Sequence, residues 1–238
     1  MKIKNTLLVI TFILLLSSCV VKSLNPFYTK ETISFDKNFI GEWIDSKKGN
    51  WKVVKFENVF LSNTKKNWEP KFVNGYLDNE VEISKKSLSK EDKKLYAEYK
   101  DSYYLLREYK NKKVAFIATP FKINNQTFLD FIPVDTQEDI DNLLESHSVY
   151  THSLVKYDLR KNGEIEIRWL DEDKIESLFE QKKIKIKHEV FGMLNDKYLL
   201  TASSKDLQKF VQKYMASDDS EKWETSTKFT LNRLNETD

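Results

Sequence analysis

The chain has 238 residues, with 39 lysines and arginines against 37 acidic residues, 40% hydrophobic and 13% aromatic side chains. A balance this even argues against the basic stripe that nucleic acid selects for, and a chain of this length can bury about 70% of its unfolded surface around one core. A single cysteine excludes a disulfide framework, and five glycines argue against a glycine-rich phosphate loop.

Lys2 and Lys4 precede an apolar run over residues 7–16, and the small residues Ser17 and Ser18 then lead to Cys19. A charged head, an apolar stretch and small residues are the layout of a secretory signal. As a helix, ten residues cover about 15 Å of a hydrocarbon core about 30 Å thick, too little for a permanent span. Leu16-Ser17-Ser18-Cys19 resembles the lipobox of bacterial lipoproteins. The resemblance implies that residues 1–18 are a signal peptide, that Cys19 becomes the first mature residue, and that it carries lipid. The plainer reading is an ordinary secretory signal with an incidental cysteine. Two or three acyl chains anchor stably where one does not, so the expected partner is a membrane. Val20 stands where an aspartate marks inner-membrane retention, and no acidic run follows it. In this the chain resembles lipoproteins sorted to the outer membrane and facing the periplasm. Without Lys2 and Lys4 the basic residues number 37, equal to the acidic ones, which argues against a broad electrostatic hold on anionic lipid.

From Val20 to about Asp36 there is little periodicity and one Asn25-Pro26 break. Residues 19–36 therefore read as the lipidated cysteine and a tether reaching about 50 Å when extended. Residues 37–238 are expected to form a single β-rich globular domain. Residues 39–44 and 51–56 predict two strands around a turn-rich break. Residues 58–71 show no pattern, and 72–76 and 81–83 are weaker strand candidates. Ser89-Lys90-Glu91-Asp92 looks like a capped helix start, with Leu95, Tyr96 and Tyr99 at helical spacing. Residues 103–109, 114–119 and 126–131 form the best antiparallel meander, closed by Pro133. A helix is expected over 137–145. Next comes a hairpin of 153–159 and 164–170 about Asn162-Gly163, its second arm placing Ile165, Ile167 and Trp169 on one face. A short helix over 173–180 precedes residues 183–187, where lysine alternates with Ile184 and Ile186. A strand over 198–201 leads to a helix capped by Ser203 or Ser204, with Leu207, Phe210, Val211 and Tyr214 along one stripe. Residues 228–234 read as the last strand. The fold class is mainly β, an antiparallel meander closing into a barrel or strongly curved sheet with a few short helices packed on it.

Gly41-Glu42-Trp43 in the first domain strand and Arg233 in the last resemble the lipocalin and calycin pattern. That resemblance implies an up-and-down barrel whose closed floor is plugged by Trp43, with Arg233 packed across it and Gly41 allowing close backbone approach. A generic β-sandwich or open sheet is the other reading. The segments Leu24-Asn25-Pro26-Phe27-Tyr28, Gly41-Glu42-Trp43, Thr127-Phe128-Leu129-Asp130-Phe131, Leu200-Thr201-Ala202 and Leu207-Gln208 are also similar to a family of uncharacterised Gram-negative lipoproteins. That likeness implies anchor and fold without naming a reaction.

Other residues carry chemistry in principle. His147, His152 and His188 are zinc-capable types without ligand spacing. Asp171-Glu172-Asp173 suits a hard cation, but its place before a predicted helix favours capping. Asp130, between Leu129 and Phe131, is either a partly buried acid of raised pKa or a carboxylate facing solvent or a hydrogen-bond donor. Ser203 and Ser204 lack a nucleophile-elbow setting. No catalytic set, cofactor site or metal site is assigned. The sequence thus supports a lipid-anchored envelope protein whose barrel accepts a small apolar ligand. The alternative is an envelope interaction or scaffold protein with a solid core, and a hydrolase ranks last because no set of titratable side chains converges.

Overall fold

The computed structural model describes residues 20–62, 72–73, 76–77, 88–134, 149–192 and 197–234. Thirteen strands occur among these, β1 Lys22–Ser23, β2 Gly41–Asp45, β3 Asn50–Lys55, β4 Phe72–Val73, β5 Tyr76–Leu77, β6 Tyr103–Tyr109, β7 Lys112–Ile123, β8 Gln126–Val134, β9 His152–Leu159, β10 Ile165–Trp169, β11 His188–Phe191, β12 Lys197–Leu200 and β13 Lys228–Arg233. The described helices are α1 Phe56–Ser62, α2 Lys90–Tyr99, α3 Glu172–Glu180 and α4 Ser204–Ala216. The predicted helix over 137–145, His147, the candidate strand over 81–83, and Cys19 with its signal lie outside the described residues.

Eight strands close a barrel. In ring order they are β2, β3, β6, β7, β8, β9, β10 and β13, each antiparallel to the next, with β13 returning to β2. Ring order equals chain order, so this is an up-and-down barrel of lipocalin-like architecture. Turn chemistry fixes the register. Lys110 and Asn111 both have positive φ between β6 and β7, as a two-residue primed turn needs, and Gly163 (φ 86°) closes the β9–β10 hairpin. Asp45 builds the β2–β3 turn, its Oδ1 accepting from the backbone N–H of Lys47 and Gly49, both at 2.8 Å.

Strand alternation sends one set of side chains inward. Trp43, Trp51, Val53, Leu105, Phe131, Trp169 and Leu231 belong to one buried cluster inside the ring. The other face of β7, β8 and β9 is also covered. Phe121, Phe128 and Leu154 pack there with Leu207, Phe210, Val211 and Tyr214 of α4, forming a second core outside the barrel. The stripe predicted for that helix is the one it buries. A strand apolar on both faces is what a sheet between two cores requires.

A small sheet extends from β9. Residues 155–159 of β9 pair with β10, while His152 and Ser153 pair with β1. Beyond it, β12 runs parallel to β1 and β11 closes the order.

The tether expected over residues 19–36 is corrected here. Val21, Ser23, Phe27 and Tyr28 are buried, Val21 N–H donates to the Leu170 carbonyl at 3.2 Å, and Leu24 N–H donates to the Leu200 carbonyl at 2.9 Å. Residues from Val20 on belong to the folded domain. A lone aromatic pair without periodicity has no local signature; it folds because a distant helix and sheet supply its pocket. Smaller differences follow the same logic. The Lys-Ile alternation at 183–187 forms neither helix nor strand, and the strand begins only at His188. The segment expected to lack pattern begins with α1, and β8 runs one residue past Pro133.

Candidate functional site

The three residues taken from the lipocalin resemblance meet at one end of the barrel. The Arg233 guanidinium lies over Trp43, with Cζ 4.3 Å from the ring centre. Its Nη1 donates to the Ile40 carbonyl at 3.1 Å and its Nη2 to the Asn38 carbonyl at 2.5 Å. Gly41 has φ +139°, and a Cβ placed there would sit 2.5 Å from Arg233 Nη1. Glycine is needed twice, for the backbone and for the space. The turn Lys37–Phe39 crosses this end and drives Phe39 inward against Tyr103 and Tyr157, at ring separations of 5.2 and 5.3 Å. Trp43 Nε1 donates to the Phe39 carbonyl at 3.0 Å, locking the plug.

The opposite end, where β2 turns into β3, is filled as well. Trp51, Phe229, Trp169, Phe131 and Phe116 form a chain of ring contacts with centres 5.0 to 6.0 Å apart. Arg107 points into this end from β6, lying 5.8 Å from the Trp51 ring and 5.0 Å from the Phe229 ring. Asp45 fixes it. The buried carboxylate accepts from Arg107 Nε and Trp51 Nε1, each at 2.8 Å, besides its two turn N–H groups. Burial pushes this carboxyl up, but donors from Gly49, Trp51, Arg107 and Lys47 outweigh it and hold the group below the usual carboxylate range. An eight-stranded barrel is just wide enough either to be filled by side chains or to hold one small ligand. Here buried aromatic side chains project into it from both ends.

The other sequence candidates take structural roles. Asp130 sits on the outer face of β8, fully buried. Its Oδ1 lies 2.6 Å from His152 Nδ1, and its Oδ2 accepts from Phe27 N–H at 2.7 Å. Burial raises the pKa of this carboxyl, opposed by His152 and by the Phe27 N–H. The pair fastens the N-terminal segment to the barrel wall. Ser23, opposite His152 in the ladder, is buried and gives its hydroxyl to the Leu200 carbonyl at 3.3 Å rather than to the imidazole. His188 is bound to the Ile186 carbonyl at 2.8 Å and packed 3.9 Å from the Phe179 ring centre. Asp171 caps α3 through Lys174 N–H at 3.1 Å, and Ser203 caps α4 through Asp206 N–H at 3.3 Å. Among the described residues no group of three or more histidines or carboxylates is placed to hold a metal ion.

One surface site was not singled out from the sequence. A groove of ≈ 900 Å³ runs between α4 and the stretch from the end of α3 through residues 182–187. Leu178, Ile184, Ile186, Phe210 and Tyr214 supply its apolar lining. The alternation of 183–187 explains the rim, since Ile184 and Ile186 turn toward the second core while Lys183, Lys185 and Lys187 are exposed. Lys182 and Lys213 join them. Among the described residues none of these five lysines has a carboxylate partner, whereas the aspartates of the groove are engaged, Asp206 with Lys209 at 3.3 Å and Asp219 with Lys174 at 2.7 Å. The signal was present in the sequence as an alternating Lys-Ile run, but only the fold brings α4 alongside it.

Comparison with protein-family models, curated proteins and solved structures finds no match. Among the described residues no helix is long and apolar enough to cross a membrane. The functional reading therefore rests on this chain's own geometry.

Proposed function

We propose that this is a bacterial envelope lipoprotein, held by lipid on Cys19 to the outer membrane on its periplasmic side, whose solid barrel is a rigid platform for a protein partner. The observation that carries the reading is the filled interior. Trp43, Trp51, Trp169 and Phe131 occupy the space in which a barrel of this size would hold a small apolar ligand. Interaction then falls to the surface. The lysine-rimmed groove suits a partner segment carrying acidic side chains around an apolar stripe, because five cations without a carboxylate partner among the described residues surround an apolar lining. The packing inside the barrel favours the scaffold alternative over the ligand carrier.

In-cell photo-cross-linking from Lys185 and Lys213, with Lys161 on the β9–β10 turn as control, tests this. The expected result is the same protein adduct from both groove positions, lost when Lys183 and Lys187 are changed to glutamate. Adducts equal to those at Lys161, adducts indifferent to the charge reversal, or only lipid-sized adducts would contradict it.

A further inference from the structure

The packing of residues 20–36 decides how the domain sits if Cys19 is acylated. Val20 makes a bridge to Asp171, and Lys22 and Ser23 are clamped between β9 and β12. Cys19 is one peptide unit from Val20, a Cα separation of about 3.8 Å. No slack separates the lipid from the fold. Whatever surface surrounds Val20 must rest at the headgroup level.

The register names that surface. Lys22 pairs with Leu199 in parallel, so two residues earlier Val20 stands level with Lys197, and Lys197 pairs with Phe191. Three adjacent strands spaced about 4.8 Å apart put Phe191 about 10 Å from Val20. Lys22 confirms the closeness, with Nζ 6.0 Å from the Phe191 ring centre. At this point β11 is bare. Val190 is 45% and Phe191 39% exposed. Successive strand residues face opposite sides, so exposure of both means that among the described residues neither face of the strand is covered here. The strand overhangs the body.

Resting on the reading that Cys19 is acylated, we propose that the end of β11 is the bilayer-facing surface, with Val190 and Phe191 seated in the membrane interface and Lys22 on the headgroups. An aromatic and an aliphatic side chain beside a lysine is the composition that interfacial seating favours. The acyl chains supply the affinity and this edge sets the orientation.

The test uses the acylated full-length protein, purified from membranes and reconstituted in vesicles of phosphatidylethanolamine and phosphatidylglycerol containing a doxyl-labelled lipid. Because the chain has one cysteine, whose sulfur is blocked when acylated, Val190→Cys, Lys22→Cys and Lys161→Cys each take a polarity-sensitive fluorophore at a single place. The expected result is a blue shift at position 190 and quenching several-fold stronger at 190 and 22 than at 161, which lies at the far end of β9. Equal quenching at all three in an acylated, vesicle-bound protein would overturn the orientation alone. Free Cys19 thiol in the membrane-extracted protein would overturn the anchor, and the orientation with it.

Discussion

Replacing Gly41 with alanine tests the plug at the base of the barrel. The backbone there has φ +139°, a region where a residue with a Cβ costs about 1–3 kcal/mol. The added Cβ would also lie 2.5 Å from Arg233 Nη1, so the guanidinium must leave the Trp43 face and the carbonyls of Ile40 and Asn38. Arg233 is exposed, so solvent screens these contacts and their loss adds only about 0.5–1 kcal/mol. The sum is about 1.5–4 kcal/mol. Urea unfolding of the signal-free protein with Cys19 changed to serine, followed by tryptophan fluorescence, measures it. Arg233→Ala alone should cost about 0.5–1 kcal/mol, and in that background Gly41→Ala should lose only its backbone share. A Gly41→Ala protein within about 0.5 kcal/mol of its parent, or an undiminished cost in the Arg233→Ala background, would refute the reasoning.

Four further outcomes follow from three buried polar groups. Asp45→Ala strands Arg107, Trp51 Nε1 and two backbone N–H groups, and should cost about 3–5 kcal/mol by the same unfolding assay. Because Asp45 is held below its ordinary pKa, its contribution is full above that ordinary value and lost as pH falls through the lower folded value; Asp45→Asn should flatten the acid limb of stability below about pH 4. Asp130 has the opposite sign. Its raised pKa makes stability fall as pH rises from the ordinary carboxylate value toward the folded one, and Asp130→Asn should remove that slope in urea midpoints taken upward from about pH 4. The buried Tyr157 hydroxyl has no hydrogen-bond partner among the described residues, so Tyr157→Phe should be neutral or stabilising by about 1 kcal/mol, and a clear loss would mean that it has one.

How much of this was legible depended on whether the signal was local. The strands over 103–109 and 228–233, the Asn162-Gly163 turn and the α4 stripe each carry their own period or turn residues, and the structure places them within a residue or two of expectation. Gly41, Trp43 and Arg233 were singled out together, although 190 residues separate Trp43 from Arg233, because together they resemble the lipocalin pattern. The filling of that ring was not legible. Each inward aromatic looked like ordinary strand core, and only the register that faces Trp43 to Trp51, and Val155 to Trp169, shows them sharing one interior. The packed N-terminal segment was missed for the same reason. Asp130 pointed the way, since a carboxylate inside an apolar strand needs partners, but Phe27 and His152 lie 103 and 22 residues from it in sequence.

The filled barrel is the claim on which the functional reading turns, and xenon tests it, because the gas enters dry apolar cavities and leaves packed cores undisturbed. Methyl spectra of the signal-free protein under xenon pressure should show no shifts at Leu105, Leu129, Val155, Ile165 or Ile167, while a Trp43→Ala variant, which opens a void among them, should show shifts at several. Xenon-dependent shifts of those methyls in the unaltered protein would mean that the barrel holds an empty cup after all.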